Sequence, residues 1–338
     1  MRKFLLVGDP HVTPDALDDF RALMGLVRKA AGETGARVVF LGDQHHTHAM
    51  IRVEVMHAWY NELCSWKGES PIMLVGNHDV PGTEAPVDMH ALLPYRQFAD
   101  VVQSPCFLDG VAFMPYFRDP AKFDAAVREL AREKKSPVLI CHQTFVGAMY
   151  ENNFPAPDGV QLDGVPFEAV YSGHIHLPQK MGKLTYVGSP RWRTVSDANI
   201  ARSLLLIELD DAGNVVSEKN FETEGVCKPI YRFTVSPASV EATGPLEAIV
   251  NVGKGERARI IVDVEGPSAF CDEVLSRLPK GDPRYEVRVQ REESARAEVR
   301  ESEGIAGSLR KYIQTGEWGV DKEELWKEVS KRTGLALS

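Results

Sequence analysis

Cysteine is scarce in this chain: five in 338 residues, at positions 64, 106, 141, 227 and 271, with no C-x-x-C pair. An odd, scattered set argues against a disulfide framework or a structural zinc knuckle and suits a reducing compartment. Long hydrophobic runs are missing as well. Nothing nears the roughly 20 apolar residues of a membrane span, so no membrane association and a cytoplasmic location are expected. The opening Met1-Arg2-Lys3-Phe4-Leu5-Leu6-Val7 imitates a signal peptide. Its apolar run is short and ends in Asp9 and His11 with no small-residue cleavage site, so it reads as a first strand. Excess positive charge is absent too, with 39 Lys and Arg against 48 Asp and Glu and a net charge of −9. That excludes a histone-like protein that coats nucleic acid by bulk charge, but leaves local phosphate binding open. Internal repeats and low-complexity tracts are also lacking, and no histidine occurs beyond position 176.

What is present is an ordinary globular composition, 43% hydrophobic and 26% charged, at a length that suggests two domains of roughly 100–200 residues each. Apolar runs at 4–7, 38–41 and 72–75 read as strands, and helical spacing covers 16–31 and 50–66. This β-loop-α-β-loop-α-β order predicts an α/β fold with a mainly parallel sheet. Strands follow at 111–114, 138–141, 169–172 and 184–187, with a helix over 120–133 and a long polar loop over 147–166. Strands at 204–209 and 215–221, without helices between them, suggest a second sheet packed on the first. A boundary near residue 225 closes a first domain over 1–225. Alternating strands at 231–235, 259–264 and 285–289, with a helix over 267–278, predict a small α+β capping domain over 226–290. A charged linker over 291–304 leads to two short helices over 305–338. Their apolar stripes are Ile305, Leu309, Tyr312 and Ile313, then Leu325, Trp326 and Val329, with Asp321 and Glu324 at a capping-box-like start.

All ten histidines lie within the first 176 residues, and seven sit in five short motifs. These are Gly8-Asp9-Pro10-His11, Gly42-Asp43-Gln44-His45-His46, Gly76-Asn77-His78-Asp79, Cys141-His142 and Gly173-His174-Ile175-His176. Each follows a predicted buried strand, and loops that all leave strand ends can converge. Asp, Asn and His are the ligand types that a pair of divalent metals needs. Two such ions about 4 Å apart repel by roughly 17 kcal/mol at an effective dielectric near 20. They coexist only with anionic ligands between and around them, and neutral imidazoles complete the shells.

In order and residue type, the five motifs resemble those of the calcineurin-like metallophosphoesterase family over about residues 8–176. The resemblance implies that fold: two packed mixed sheets flanked by helices. It implies Asp9, His11, Asp43 and His176 on one metal, and Asp43, Asn77, His142 and His174 on the other, with Asp43 bridging. It places His78 at the leaving group as the catalytic residue. By family the metals are manganese, while the ligand set alone also admits magnesium, iron, cobalt or zinc. His46 stands where the family often has an Asp that orients the catalytic His, and some DNA-repair members carry His there. A supporting role is expected for His46, and for Asp79 as a hydrogen-bonding anchor of its loop. For His45 and His48 a structural role outranks a ligand role, and His57 and His90 read as surface or satisfied core residues. Cys141 invites a nucleophile hypothesis, but a place at the end of an apolar strand fits it better.

Gly188-Ser189-Pro190-Arg191-Trp192-Arg193 resembles a segment of the SbcD-like branch, the nuclease subunits of DNA repair and recombination complexes, phage recombination nucleases included (for a phage protein the compartment is the host cytoplasm). That branch implies exonuclease action on duplex ends, endonuclease action on single strands, and an SbcC-like coiled-coil ATPase partner docked on the C-terminal helices, with a homodimer as a further assembly. Lys180, Lys183, Arg191, Arg193 and Arg202 would offer positive charge to DNA, and Trp192 a stacking surface; the alternative is a solvated basic rim. Packing of the terminal helices on their own domain is the alternative to docking. Two rival functions stand beside the nuclease: a small-molecule phosphodiesterase or phosphatase on the same fold, and a non-catalytic interaction scaffold.

Overall fold

The computed structural model describes the chain except for residues 49, 83–88, 240–248, 250–256, 292–303, 317–318 and 334–338. It divides into two compact units, Met1–Arg232 with Gly253–Ile260, and Phe233–Val252 with Ile261–Ser338. The first holds two six-stranded mixed sheets flanked by helices, the architecture expected of the metallophosphoesterase fold. Among the described residues no helix is long and apolar enough to cross a membrane.

The first sheet is built from β1 (Arg2–Val7), β2 (Arg37–Phe40), β3 (Ile72–Leu74) and β4 (Asp100–Val102), all parallel. The helices α1 (Leu17–Thr34) and α2 (Val53–Cys64) make the crossovers. α1 stops at Gly35, whose φ of +68° lets its N–H return to the Ala31 carbonyl; glycine adopts that backbone without a Cβ penalty. α2 begins at Val53, three residues later than its spacing predicts, because Arg52 is extended. Trp59 of α2 packs on Phe20 of α1 and Phe40 of β2, fully buried.

The second sheet has the order β5-β6-β7-β8-β10-β9, from Cys106–Leu108, Val111–Met114, Val138–His142, Ala169–Gly173, Leu184–Tyr186 and Gln179–Met181. Strands β6, β7, β8 and β10 are parallel. The second sheet therefore comes from the middle of the chain, not its later part. The late strands β11 (Ser203–Leu209) and β12 (Val215–Glu222) return to the first sheet, where β11 pairs antiparallel with β1. The near-continuous apolar run of β11 explains this, since an interior position buries both of its faces.

Alternation within the strands of the second sheet divides two cores. Phe113 and Ile140 point inward to Phe4, Leu6, Val39 and Leu74 of the first sheet. Met114, Leu139 and Cys141 point outward to Phe123, Val127 and Leu130 of α3 (Pro120–Arg132). Both faces of the central strands are covered, so they read as unbroken hydrophobic runs rather than as alternation. Strands β4, β5 and β9 escape a periodicity reading because each is three residues long and only partly buried.

Strands β13 (Ile230–Val235), β14 (Arg259–Gly266) and β15 (Tyr285–Arg291) form a third sheet, and α4 (Ser268–Arg277) contacts β15. The predicted linker, but for Arg291 at the end of β15 and Gly304, lies outside the described residues. The terminal helices are α5 (Gly304–Thr315) and α6 (Lys322–Thr333). Asp321 Oδ1 accepts from the Glu323 and Glu324 amides and starts α6. The two helices pack on each other: Ile313 and Trp326 are buried, with the Arg310 guanidinium over the indole.

Candidate metal centre

All five histidine-bearing motifs leave the carboxyl ends of parallel strands: β1, β2 and β3 of one sheet, β7 and β8 of the other. In open α/β sheets this edge is where functional loops converge. Three residues at the convergence have left-handed backbone: His11 at φ +43°, Asp43 at +53° and His174 at +81°. Such conformations cost about 1–3 kcal/mol each and persist where the surroundings over-determine them. Here the His11 amide donates to the Asp43 carbonyl at 2.9 Å, and the His174 amide to Asp9 Oδ2 at 2.7 Å. Gly42 and Gly76 permit the crowding. A Cβ on Gly42 would lie 2.2 Å from His142 Nδ1, and one on Gly76 would lie 2.2 Å from Asp43 Oδ1.

Three groups with metal-ligating geometry occur among the described residues: His11 with His46 and His78, and two clusters that hold the carboxylates. Ligand-type atoms of Asp9, His11 and His176 lie within 4.8 Å of one another, as do those of Asp43, His142 and His174. Asp43 reaches both, with Oδ2 3.4 Å from His11 Nε2 and Oδ1 3.5 Å from His142 Nε2. Asn77 Oδ1 joins the second cluster, 2.7 Å from His174 Nδ1 and 3.0 Å from His142 Nε2. The donor set fits divalent cations on a specific ground. His142 Nδ1–H donates to the Leu41 carbonyl at 2.8 Å, which fixes the tautomer and leaves a lone pair on Nε2. That lone pair meets the amide oxygen of Asn77 and the carboxylate of Asp43, acceptor against acceptor. Likewise His11 Nε2 and His176 Nε2 stand 2.9 Å apart, and buried Asp9 Oδ1 has no hydrogen-bond partner. A cation resolves such clustering of lone pairs.

The electrostatics agree. Burial, with the carboxylates of Asp9 and Asp79 nearby, pushes Asp43 well above the usual carboxylate range, and burial lifts Asp9 to about 6. Burial also holds His11 and His174 far below their usual values and His142 at about 3. Neutral imidazoles are the form that ligates metal, and a bound cation reverses the penalty on the carboxylates.

His78 lies beside the clusters, its ring 4.6 Å from that of His11. It is held by three contacts: its amide donates to Asp43 Oδ1, Nδ1–H donates to the His46 carbonyl at 2.6 Å, and His48 stacks on its ring at 3.9 Å. The orienting group at position 46 is thus the main-chain oxygen. The His46 ring itself faces Arg193, whose Nη2 is 3.0 Å from His46 Nδ1. Burial lowers His78 to about 4. Asp79 is buried and ties two loops together, accepting from the amides of Asp43 and His45 after β2 and of Gly76 after β3. His45 is likewise structural, bridging Asp79 and the Tyr95 hydroxyl. His48 donates to the Asn77 carbonyl, His57 lies exposed on α2, and His90 is buried against Gln103. Burial pushes the Cys141 thiol up to about 12, so it is no nucleophile.

The residues of the Gly188-Ser189-Pro190 segment have different surroundings from those expected of a basic rim. Arg191 is 4% exposed and donates to the carbonyls of Pro10 and His11, so it clamps a ligand loop. Trp192 is buried as well, which leaves no open face for stacking. Ser189 Oγ donates to the Asp9 carbonyl. Arg202 is buried in an ion pair with Asp197 and donates to the His176 carbonyl; Lys183 donates to the Val165 carbonyl, and Lys180 pairs with Glu218. Of the three residues expected at the substrate, only half-buried Arg193 faces the centre, 3.2 Å from His176 Nδ1. Two neighbours carry no motif signal. Glu151, in the long polar loop, stands 3.1 Å from His176 Nδ1; burial opposes its charge, but His176 holds it at about 2. Tyr116, after β6, stacks on His174 at 5.5 Å.

Comparison with known proteins adds the following. A family model described as calcineurin-like phosphoesterase matches residues 2–178. No curated protein matches the chain. Among solved structures, a hypothetical protein from Thermus thermophilus is similar at 15% identity and a TM-score of 0.39, over 65% of this chain and 98% of that one. The family match spans more than half of the 338 residues and includes every motif that supplies the two clusters, so the chain belongs to the calcineurin-like phosphoesterases, a family of metal-dependent phosphoester hydrolases.

Proposed function

We propose that this chain is a DNA nuclease, hydrolysing phosphodiesters as the catalytic subunit of an SbcCD-like repair or recombination complex. The observation that carries the phosphodiester reading is the convergence of acceptor atoms from seven residues on two clusters that share Asp43. Asp9, His11, Asp43 and His176 would hold one divalent ion, and Asp43, Asn77, His142 and His174 the other, with manganese the first candidate. Bound there, the ions supply hydroxide at neutral pH and take up phosphoryl charge. Around them, the protein's own groups orient the reaction. His78, fixed through Nδ1 by the His46 carbonyl, presents Nε2 to the leaving oxygen. Arg193 adds a cation beside His46 and His176 for the substrate phosphate. Asp79, His45 and Arg191 hold the loops and touch no substrate.

Support for DNA as substrate comes from His46 in place of the commoner Asp, from the Gly188-Ser189-Pro190 segment, and from the small domain and terminal helix pair that a small ester does not need. The helix pair is the proposed dock for the ATPase. The deciding assay is manganese-dependent digestion of linear duplex and single-stranded DNA, with and without an SbcC-type ATPase. Digestion that the ATPase stimulates is expected. Turnover of small phosphoesters with no cleavage of either DNA would overturn the nuclease reading in favour of a small-molecule phosphodiesterase. Removal of the chain after Gly304 is expected to abolish co-purification with the ATPase while sparing small-ester hydrolysis; unchanged co-purification would move the dock elsewhere.

A further inference from the structure

A cleft of about 620 Å³ opens beside the second cluster and shares Gly76 and Asn77 with it. Its walls are flat and apolar: Tyr116, which also stacks on His174, with Phe117, Pro105 and Pro115. Two cations, Arg118 and Lys122, stand exposed at its rim, and neither makes an ion pair among the described residues. Among the described residues the one carboxylate at the rim, Asp119, is turned to the Ala121 amide as the cap of α3. The volume is that of a small-molecule site and far exceeds what one phosphate fills. Flat walls next to a phosphate-hydrolysing centre suit a planar aromatic group, and the rim cations suit a second anion one nucleotide away.

We infer that this cleft is a nucleobase subsite: it seats the base of a nucleotide flanking the scissile phosphate against the wall formed by Tyr116 and Phe117, while Arg118 and Lys122 take the next phosphate. The inference rests on phosphodiester hydrolysis at the metal centre and deepens it, but does not require that the nucleotide belong to DNA. Base-on-aromatic stacking contributes about 1–3 kcal/mol, which is roughly a 5- to 150-fold gain in affinity.

The test is calorimetric binding to the full chain loaded with manganese, so it needs no turnover. Adenosine 5′-monophosphate is expected to bind at least about tenfold more tightly than ribose 5-phosphate. The gap should close to within about twofold in Phe117→Ala and in Ser104→Trp; Ser104 is exposed at the cleft, so the second change fills it without removing a core contact. Adenosine 3′,5′-bisphosphate should gain further affinity that Arg118→Gln with Lys122→Gln removes. Equal binding of the monophosphate and ribose 5-phosphate by the wild type, or a preference for base that survives Ser104→Trp, would overturn the subsite. A base preference in a protein that cuts no DNA would leave the subsite standing and remove only the nuclease reading.

Discussion

Asp79→Asn is the sharpest probe of how the loops are held. The Asp79 carboxylate is 2% exposed, and its two oxygens carry separate loads. Oδ2 accepts from the Asp43 amide at 2.9 Å and the Gly76 amide at 3.0 Å. Oδ1 accepts from the His45 amide at 3.4 Å and from His45 Nδ1 at 3.2 Å. Asparagine keeps the shape but cannot satisfy both pairs. Turned toward the Asp43 and Gly76 amides, its NH2 faces two N–H groups; turned toward His45 it faces that amide N–H and bonds Nδ1 only if the ring changes tautomer, so one or two charge-assisted bonds are lost. At about 1.5–3 kcal/mol for each such bond, the loss comes to roughly 1.5–6 kcal/mol. For a unit of this size that is a fall in Tm of roughly 3–24 °C. Because the same carboxylate fixes the loop of the shared ligand Asp43, manganese affinity should fall about 10- to 100-fold. Thermal unfolding in chelator and calorimetric manganese titration measure the two effects. A variant within about 2 °C and twofold of wild type would show that Asp79 does not hold these loops.

Other changes separate the remaining roles. His78→Ala should keep its full metal content by mass spectrometry while hydrolysis drops about 10²- to 10⁴-fold; loss of metal would make His78 a ligand. Asp43→Ala should strip both ions, and full retained occupancy would refute the shared carboxylate. Arg202→Met removes the ion partner of buried Asp197, whose other oxygen still caps the Thr194 turn, and should lose about 3–5 kcal/mol in urea unfolding; a variant as stable as wild type would sink the argument. With its thiol held up at about 12 by burial, Cys141 is protonated at pH 8 and should resist alkylation in the folded protein, while exposed Cys64 labels; rapid labelling of Cys141 would contradict its burial.

How much of this is legible in the sequence follows from how far each signal reaches along the chain. Strands β1, β2, β3, β6, β7 and β8 each carry an apolar run because both faces are covered there, and a short apolar run ending in Gly-Asp or Gly-His marks such a strand and its loop together. Proximity of Asp9, Asp43, Asn77, His142, His174 and His176 is therefore readable from strand order alone. What each side chain does with its other atoms is not. Arg191 reads as a substrate cation, yet the chain folds its guanidinium onto carbonyls some 180 residues earlier. Glu151 sits in a loop without periodicity, and only tertiary folding carries it to His176. The sheet membership of β11 escapes for a similar reason: pairing with β1 is a contact across some 200 residues, and local pattern does not encode it.

The seam between the two sheets runs through the proposed ligand set. Asp9, His11, Asp43 and Asn77 hang from one layer, and His142, His174 and His176 from the other. Cations seated there would act as rivets through the sandwich, joining layers that also meet through side chains such as Phe113 and Phe4 and through the Tyr116 amide on the Val75 carbonyl. At free metal about 100-fold above the dissociation constant, each site would add about 2.7 kcal/mol to folding. Heat resistance of this enzyme would then track the metal supply of its surroundings, and starvation for the ion would loosen the scaffold as well as silence the chemistry.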